Sequence, residues 1–94
     1  MDQLRKERIA GNEAKARELN ERFGLGFFIC ECGDGDCHQI IRVPLDVYRS
    51  VRADERRFLI CPGHDFPEME DVVVSRSDWA VVRKHDAVAH VVED

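Results

Sequence analysis

No apolar run in this sequence approaches the roughly 18 residues that a membrane-crossing helix needs. The first ten residues are charged from the second onward and hold no apolar stretch of the kind a secretory leader uses. That implies a cytoplasmic protein whose thiols stay reduced. A basic surplus is also missing. Lys and Arg number 14 against 19 Asp and Glu, a net charge of −5. Neutralising nucleic-acid phosphates takes an excess of cations, so the composition argues against a nucleic-acid partner. Neither a Gly-x-Ser-x-Gly elbow nor a phosphate-cradling Gly-rich loop occurs. Internal repeats and low-complexity linkers are absent as well.

What remains is the balance of a folded chain. Hydrophobic residues make up 44% and charged residues 35% of 94 positions, enough for one domain. Small domains are marginally stable, and a bound metal is one way to staple them. Four cysteines are available for that purpose.

Residues 2–22 read as a helix rich in Lys, Arg, Glu, Ala and Leu. Ile9, Ala16, Leu19 and Phe23 form a thin stripe, so docking is expected through the second half, with fraying at the start. Gly24-Leu25-Gly26 breaks the helix. Phe27 to Ile29 and His38 to Val43 read as two strands of a hairpin with cysteines at its tip. Pro44 suits the first position of a short helix over 44–53, with Leu45, Val47, Tyr48 and Val51 on its apolar face. Asp54 to Arg57 is a polar turn and Phe58 to Ile60 a third strand. Val72 to Val74 and Trp79 to Val82 form a second hairpin, and Asp86 to Val92 adds a last helical turn or an edge strand. The expected class is α+β. An N-terminal helix (1–23) precedes a core (24–94) with a small antiparallel sheet and one short central helix, all in a single domain.

The chemistry lies in the cysteines and one histidine. Cys30, Cys32 and Cys37 give C-x-C-x4-C, and Cys61 and His64 give C-x2-H. Each group follows a short strand and sits in a loop containing Gly or Pro, a zinc-ribbon-like arrangement. In a flat strand Cys30 and Cys32 would point the same way about 6.5–7 Å apart, too far for one tetrahedral ion. The chain must curl at Glu31, with Gly33 and Gly35 supplying permissive backbone and Gly63 doing the same for His64. The expected cofactor is one Zn²⁺ per chain, held by Cys30, Cys32, Cys37 and His64, with Cys61 as the alternative fourth ligand. His64 is favoured because Pro62-Gly63 can turn its ring inward. Three thiolates and a neutral imidazole also leave the complex at −1 rather than the −2 of a four-Cys site. His38 is a weaker alternative. Metal-free thiols, disulfides, or an iron–sulfur cluster using Cys61 are the competing readings.

Other residues invite weaker readings. Asp34 and Asp36 are turn formers or acceptors that orient a ligand, and Asp65 can accept the second ring proton of His64. His85 and His90 read as surface residues and Trp79 as core. Arg49, Arg52, Arg56 and Arg57, interleaved with Asp46, Asp54 and Glu55, read as a salt-bridged solvated face, with a small phosphate- or RNA-contacting patch as the alternative.

The run Phe28-Ile-Cys-Glu-Cys-Gly-Asp, then Cys37, a Tyr48-Arg-Ser-Val-Arg-Ala-Asp stretch, and Pro62-Gly63-His64 together resemble a family of small bacterial Cys/His proteins without an assigned activity. Asn12-Glu13-Ala14 and Asn20-Glu21-Arg22 match that family's first helix, while Lys15 and Ala16 replace a bulkier apolar pair. The resemblance spans residues 8–84. It implies a metal site in which Pro-Gly-His is kept and the position of Cys61 is often aliphatic or Ala, favouring His64. It implies no activity.

Three functions follow. The first is a non-enzymatic structural-zinc module that binds a protein partner. The second is a redox-responsive zinc/thiol switch with Cys61 as the resolving thiol. The third is a small metalloenzyme, which needs an open coordination position.

Overall fold

The computed structural model describes residues 3–23 and 26–85. Helix α1 runs Gln3–Phe23, strand β1 Phe27–Ile29 and strand β2 Ile40–Arg42. Helix α2 spans Leu45–Arg52, followed by β3 Arg57–Ile60, β4 Glu70–Ser75 and β5 Ala80–Lys84. The fold is α+β, with an N-terminal helix, a short central helix and small antiparallel sheets. The expectations at Gly24-Leu25, at 86–92 and at His90 lie outside the described residues.

Antiparallel pairing divides into two sheets. β1 and β2 form a hairpin in which Phe28 faces Ile41. The other sheet has the order β3-β5-β4, so β5 is central and its Ala80-Val81-Val82 run is buried. β4 is an edge strand, bulged between Val72 and Val74, with Val72 and Val73 exposed. The Ser75–Asp78 turn is closed by the Arg76 N–H donating to the Trp79 carbonyl at 2.8 Å.

One hydrophobic core spans both sheets. Phe28 and Ile41 meet Tyr48 and Val51 of α2, then Phe58, Leu59 and Ile60 of β3, then Val81 and Val82 of β5. Phe28 and Tyr48 stack with ring centroids 4.1 Å apart. Pro44 is the N-cap of α2 rather than its first helical residue, and its carbonyl accepts from the Val47 and Tyr48 N–H groups at 3.0 and 3.3 Å. Trp79 packs at the margin of the core, half-buried, with the Arg76 guanidinium 5.8 Å over its ring.

The first helix buries only part of the expected stripe, with Ile9 buried, Ala16 half-buried and Leu19 exposed. Ile9 and Ala10, in its first half, are buried, while Leu19 is 45% exposed. Among the described residues the other buried positions of α1 are polar, Glu13 and Asn20. The helix seats on hydrogen-bond and ion partners as much as on apolar area, so hydrophobic periodicity located only part of its buried face. Burying Ile9 contributes about 1.5–3 kcal/mol. Most helical stability in proteins comes from tertiary contacts rather than propensity, so these polar contacts matter to its docking.

Candidate metal centre

Cys30 follows β1 directly, and its N–H donates to the Gln39 carbonyl at 2.8 Å, extending the hairpin ladder by one rung. The Glu31 side chain, between the two cysteines, is fully buried. Past Cys32 the loop returns through a turn in which the Cys37 N–H donates to the Asp34 carbonyl at 3.1 Å. The Asp34 carboxylate accepts from the Asp36 N–H at 2.9 Å, so Asp34 is a turn former.

The second loop is a turn over Cys61-Pro62-Gly63-His64. The His64 N–H donates to the Cys61 carbonyl at 3.1 Å and Gly63 has φ of 86°. Pro at the second position and a positive-φ Gly at the third are the requirements of a type II turn. Gly33 has a different role from the one expected. It is not among the positive-φ glycines, and a Cβ there would lie 2.1 Å from Ile9 Cγ2. Gly33 is small so that α1 can lie against the loop.

These two turns bring Cys30, Cys32, Cys37 and His64 together. One ligand atom from each lies within 4.8 Å of all the others. Cys30 Sγ and Cys37 Sγ are each 3.6 Å from His64 Nδ1. Cys30 and Cys32 are buried, and Cys37 and His64 are half-buried. The four side chains can hold a metal ion. Cys61 is differently placed: its Sγ contacts Gln39 Oε1 at 3.6 Å, while its backbone N–H donates to Cys30 Sγ at 3.2 Å. An N–H aimed at a ligand sulfur stabilises a thiolate there. His38 is exposed and is not one of the four.

Without a cation Cys32 and Cys37 favour the protonated thiol. The hydrogen bond with Cys30, then burial, pushes the Cys32 thiol far up, and burial pushes Cys37 up. A divalent ion among them supplies the opposite charge that thiolates require.

A buried polar framework, which the sequence reading missed, holds the loop. The Glu31 carboxylate accepts from Asn20 Nδ2 at 2.9 Å, the Tyr48 hydroxyl at 2.5 Å and the Leu59 N–H at 2.9 Å, and it faces the Arg52 guanidinium at 3.6 Å. Its own N–H donates to the Leu59 carbonyl at 2.7 Å. One residue between two clustered cysteines thus ties together α1, α2 and β3. Burial still leaves the Glu31 carboxyl above its usual range. A second cluster joins α1 to the larger sheet, where the Lys84 ammonium contacts the carboxyls of Glu13 and Glu70, all fully buried. Lys84 was readable from register, because it shares a strand face with Ala80 and Val82 and pairs directly with Glu70.

Around α2, Arg52 pairs with the buried Glu31 and with Glu21, and Arg57 pairs with Asp54. Asp54 accepts from Arg83 Nε at 2.9 Å and lies 3.7 Å from Arg57 Nε, and the backbone N–H of Arg56 together with Arg83 holds its carboxyl below the usual range. Among the described residues no helix is long and apolar enough to cross a membrane. Comparisons of the chain with protein-family models, with curated proteins and with solved structures find no match.

Proposed function

We propose that this chain is a non-enzymatic structural-zinc module that acts in the cytoplasm by binding a protein partner. The observation that carries the zinc reading is the spacing of the donors. A tetrahedral zinc about 2.3 Å from sulfur and about 2.05 Å from nitrogen has S···N edges of about 3.6 Å. Two of the three S···N separations at His64, those from Cys30 and Cys37, are 3.6 Å. Three sulfurs and one imidazole suit zinc better than the hard cations, which prefer oxygen.

The donors come from different parts of the fold, three from the β1–β2 hairpin loop and one from the turn after β3. An ion there braces one sheet against the other, which is a structural task. Four protein ligands fill a tetrahedron and leave no position for a reacting water, which supports the non-enzymatic reading. The partner reading is supported by apolar side chains on the outer side of the hairpin, Phe27 at 59% and Ile40 at 58% exposure. The redox alternative has less support, because burial pushes the Cys61 thiol up and makes it a poor attacking group.

Elemental mass spectrometry on protein purified without added metal tests the site. One zinc per chain, kept in Cys61→Ser and lost in His64→Ala, is the expected result. Loss in Cys61→Ser with retention in His64→Ala would make it a four-Cys site, and no metal in any sample would overturn the reading.

A further inference from the structure

The first helix rests on the residues that carry the metal ligands. Ile9 packs on Gly33, one residue past Cys32, so closely that no Cβ fits between them. Asn12 Nδ2 donates to the Gly33 carbonyl at 2.9 Å. Eight residues further along α1, the Asn20 amide brackets the approach to Cys30. It donates to the Ile29 carbonyl at 2.8 Å, accepts from the Ile29 N–H at 2.9 Å, and donates to Glu31 at 2.9 Å. Four hydrogen bonds from one helix face therefore land on residues 29–33. In return α1 buries only two apolar side chains among the described residues, Ile9 and Ala10.

The platform itself has little regular structure. Residues 30–39 contain turns but no helix or strand, so the ligands and the Glu31 framework fix their path. The larger sheet is built otherwise. Phe58, Leu59, Ile60, Val81 and Val82 form a continuous buried layer held by the β3–β5 ladder, and the loop meets it at Leu59 through Glu31.

From this asymmetry we propose that occupancy of the Cys30–Cys32–Cys37–His64 centre controls the docking of α1. With the ion bound, the loop presents Gly33 and the Ile29 and Glu31 polar groups in the arrangement that Asn12 and Asn20 recognise. Without it, the loop loses that arrangement and α1 releases while the β3-β5-β4 sheet persists. Release uncovers the polar face of the loop and the Glu13 side of the Lys84 cluster. The inference rests on the zinc reading above and adds regulation to it: the chain reports metal by the state of its first helix.

Hydrogen–deuterium exchange on the full chain tests this, comparing zinc-loaded protein, protein stripped with a chelator, and stripped protein given zinc back. Elemental content is read on every sample, and Trp79 fluorescence follows the larger sheet. On stripping, α1 amides should exchange about tenfold faster or more, while β3, β4 and β5 change little, with full reversal on adding zinc. Loaded protein whose α1 is indifferent to stripping overturns the proposal and leaves the zinc site standing. Simultaneous loss of protection in every element also overturns it, because the ion then staples the whole chain. Protein that never takes up zinc overturns both readings. Ile9→Ala, outside the Glu31 framework, guards against an indirect effect. Its α1 should already exchange fast in the zinc-loaded state at unchanged zinc content, and a slow α1 there would mean the helix does not depend on the loop.

Discussion

The Tyr48 hydroxyl donates to the Glu31 carboxylate at 2.5 Å, and that bond ties the second helix to the residue separating two clustered cysteines. Glu31 is fully buried, so each lost donor leaves an oxygen without water to replace it. Tyr48→Phe should destabilise the zinc-loaded protein by about 1–3 kcal/mol in urea denaturation. Glu31→Ala should cost more, about 3–5 kcal/mol, because it strands the Arg52 guanidinium beside a void. Equal stability of Tyr48→Phe and wild type would show that the hydroxyl contributes nothing to holding the loop.

The Glu13–Lys84–Glu70 cluster sets a pH dependence with a definite sign. One ammonium faces two carboxyl groups in a fully buried site, and burial holds the Glu13 carboxyl well above its ordinary value of 4.5. Below that ordinary value Glu13 is protonated in both folded and unfolded chains, and its contribution is fully present. As pH rises from there toward the raised folded value, the native state binds one proton more than the unfolded state. Stability then falls by about 1.4 kcal/mol per pH unit from this group. Glu13→Gln, which mimics the protonated carboxyl, should flatten that slope and be neutral or stabilising at pH 7. Denaturation profiles of both proteins from about pH 5 to 8 check this. Parallel profiles would exclude a proton on Glu13.

Much of this site could be read from residue spacing, and the rest could not, for reasons that differ residue by residue. Cys30, Cys32, Cys37 and His64 stand out because few other roles place cysteine and histidine at strand ends in Gly/Pro turns, and the structure brings those four together. The turn at Cys61–His64 was legible because Pro-Gly fixes its type. The buried face of α1 was legible at Ile9 alone, since Leu19 faces solvent and the polar Glu13 and Asn20 face inward. Gly33 looked like a conformational glycine, whereas its role is a contact with Ile9, 24 positions away in the sequence. Asn12, Glu13, Asn20 and Tyr48 act through polar contacts that no apolar pattern marks.

The Gly33–Ile9 contact yields a coupled pair. Gly33→Ala puts a methyl 2.1 Å from Ile9 Cγ2 and 3.2 Å from the Ile9 carbonyl oxygen, so the helix must move. Overpacking of this kind should cost about 1–3 kcal/mol. Ile9→Ala alone should cost about 2–5 kcal/mol from lost burial and the void. The double variant should be less destabilised than the two effects added together, by about 0.5 kcal/mol or more, because removing Cγ2 makes room for the new methyl. Strict additivity in a double-mutant cycle would place the strain of Gly33→Ala elsewhere.

Metal affinity should depend steeply on pH, with a direction set by the thiols. Three cysteines must each lose a proton to coordinate, and without metal their surroundings push Cys32 and Cys37 above the ordinary value of 9.0. Binding therefore releases about three protons, and the apparent affinity should rise about a thousandfold per pH unit between about pH 6 and 8. A chromophoric chelator competing for zinc across that range measures the slope. Cys61→Ser should leave it near three, because Cys61 Sγ contacts Gln39 and is not one of the four clustered donors. Cys37→Ser should lower it to about two and weaken binding throughout. A slope near four in the wild type that drops to three in Cys61→Ser would move Cys61 into the coordination sphere, and a slope near zero would mean that the thiolates do not hold the ion.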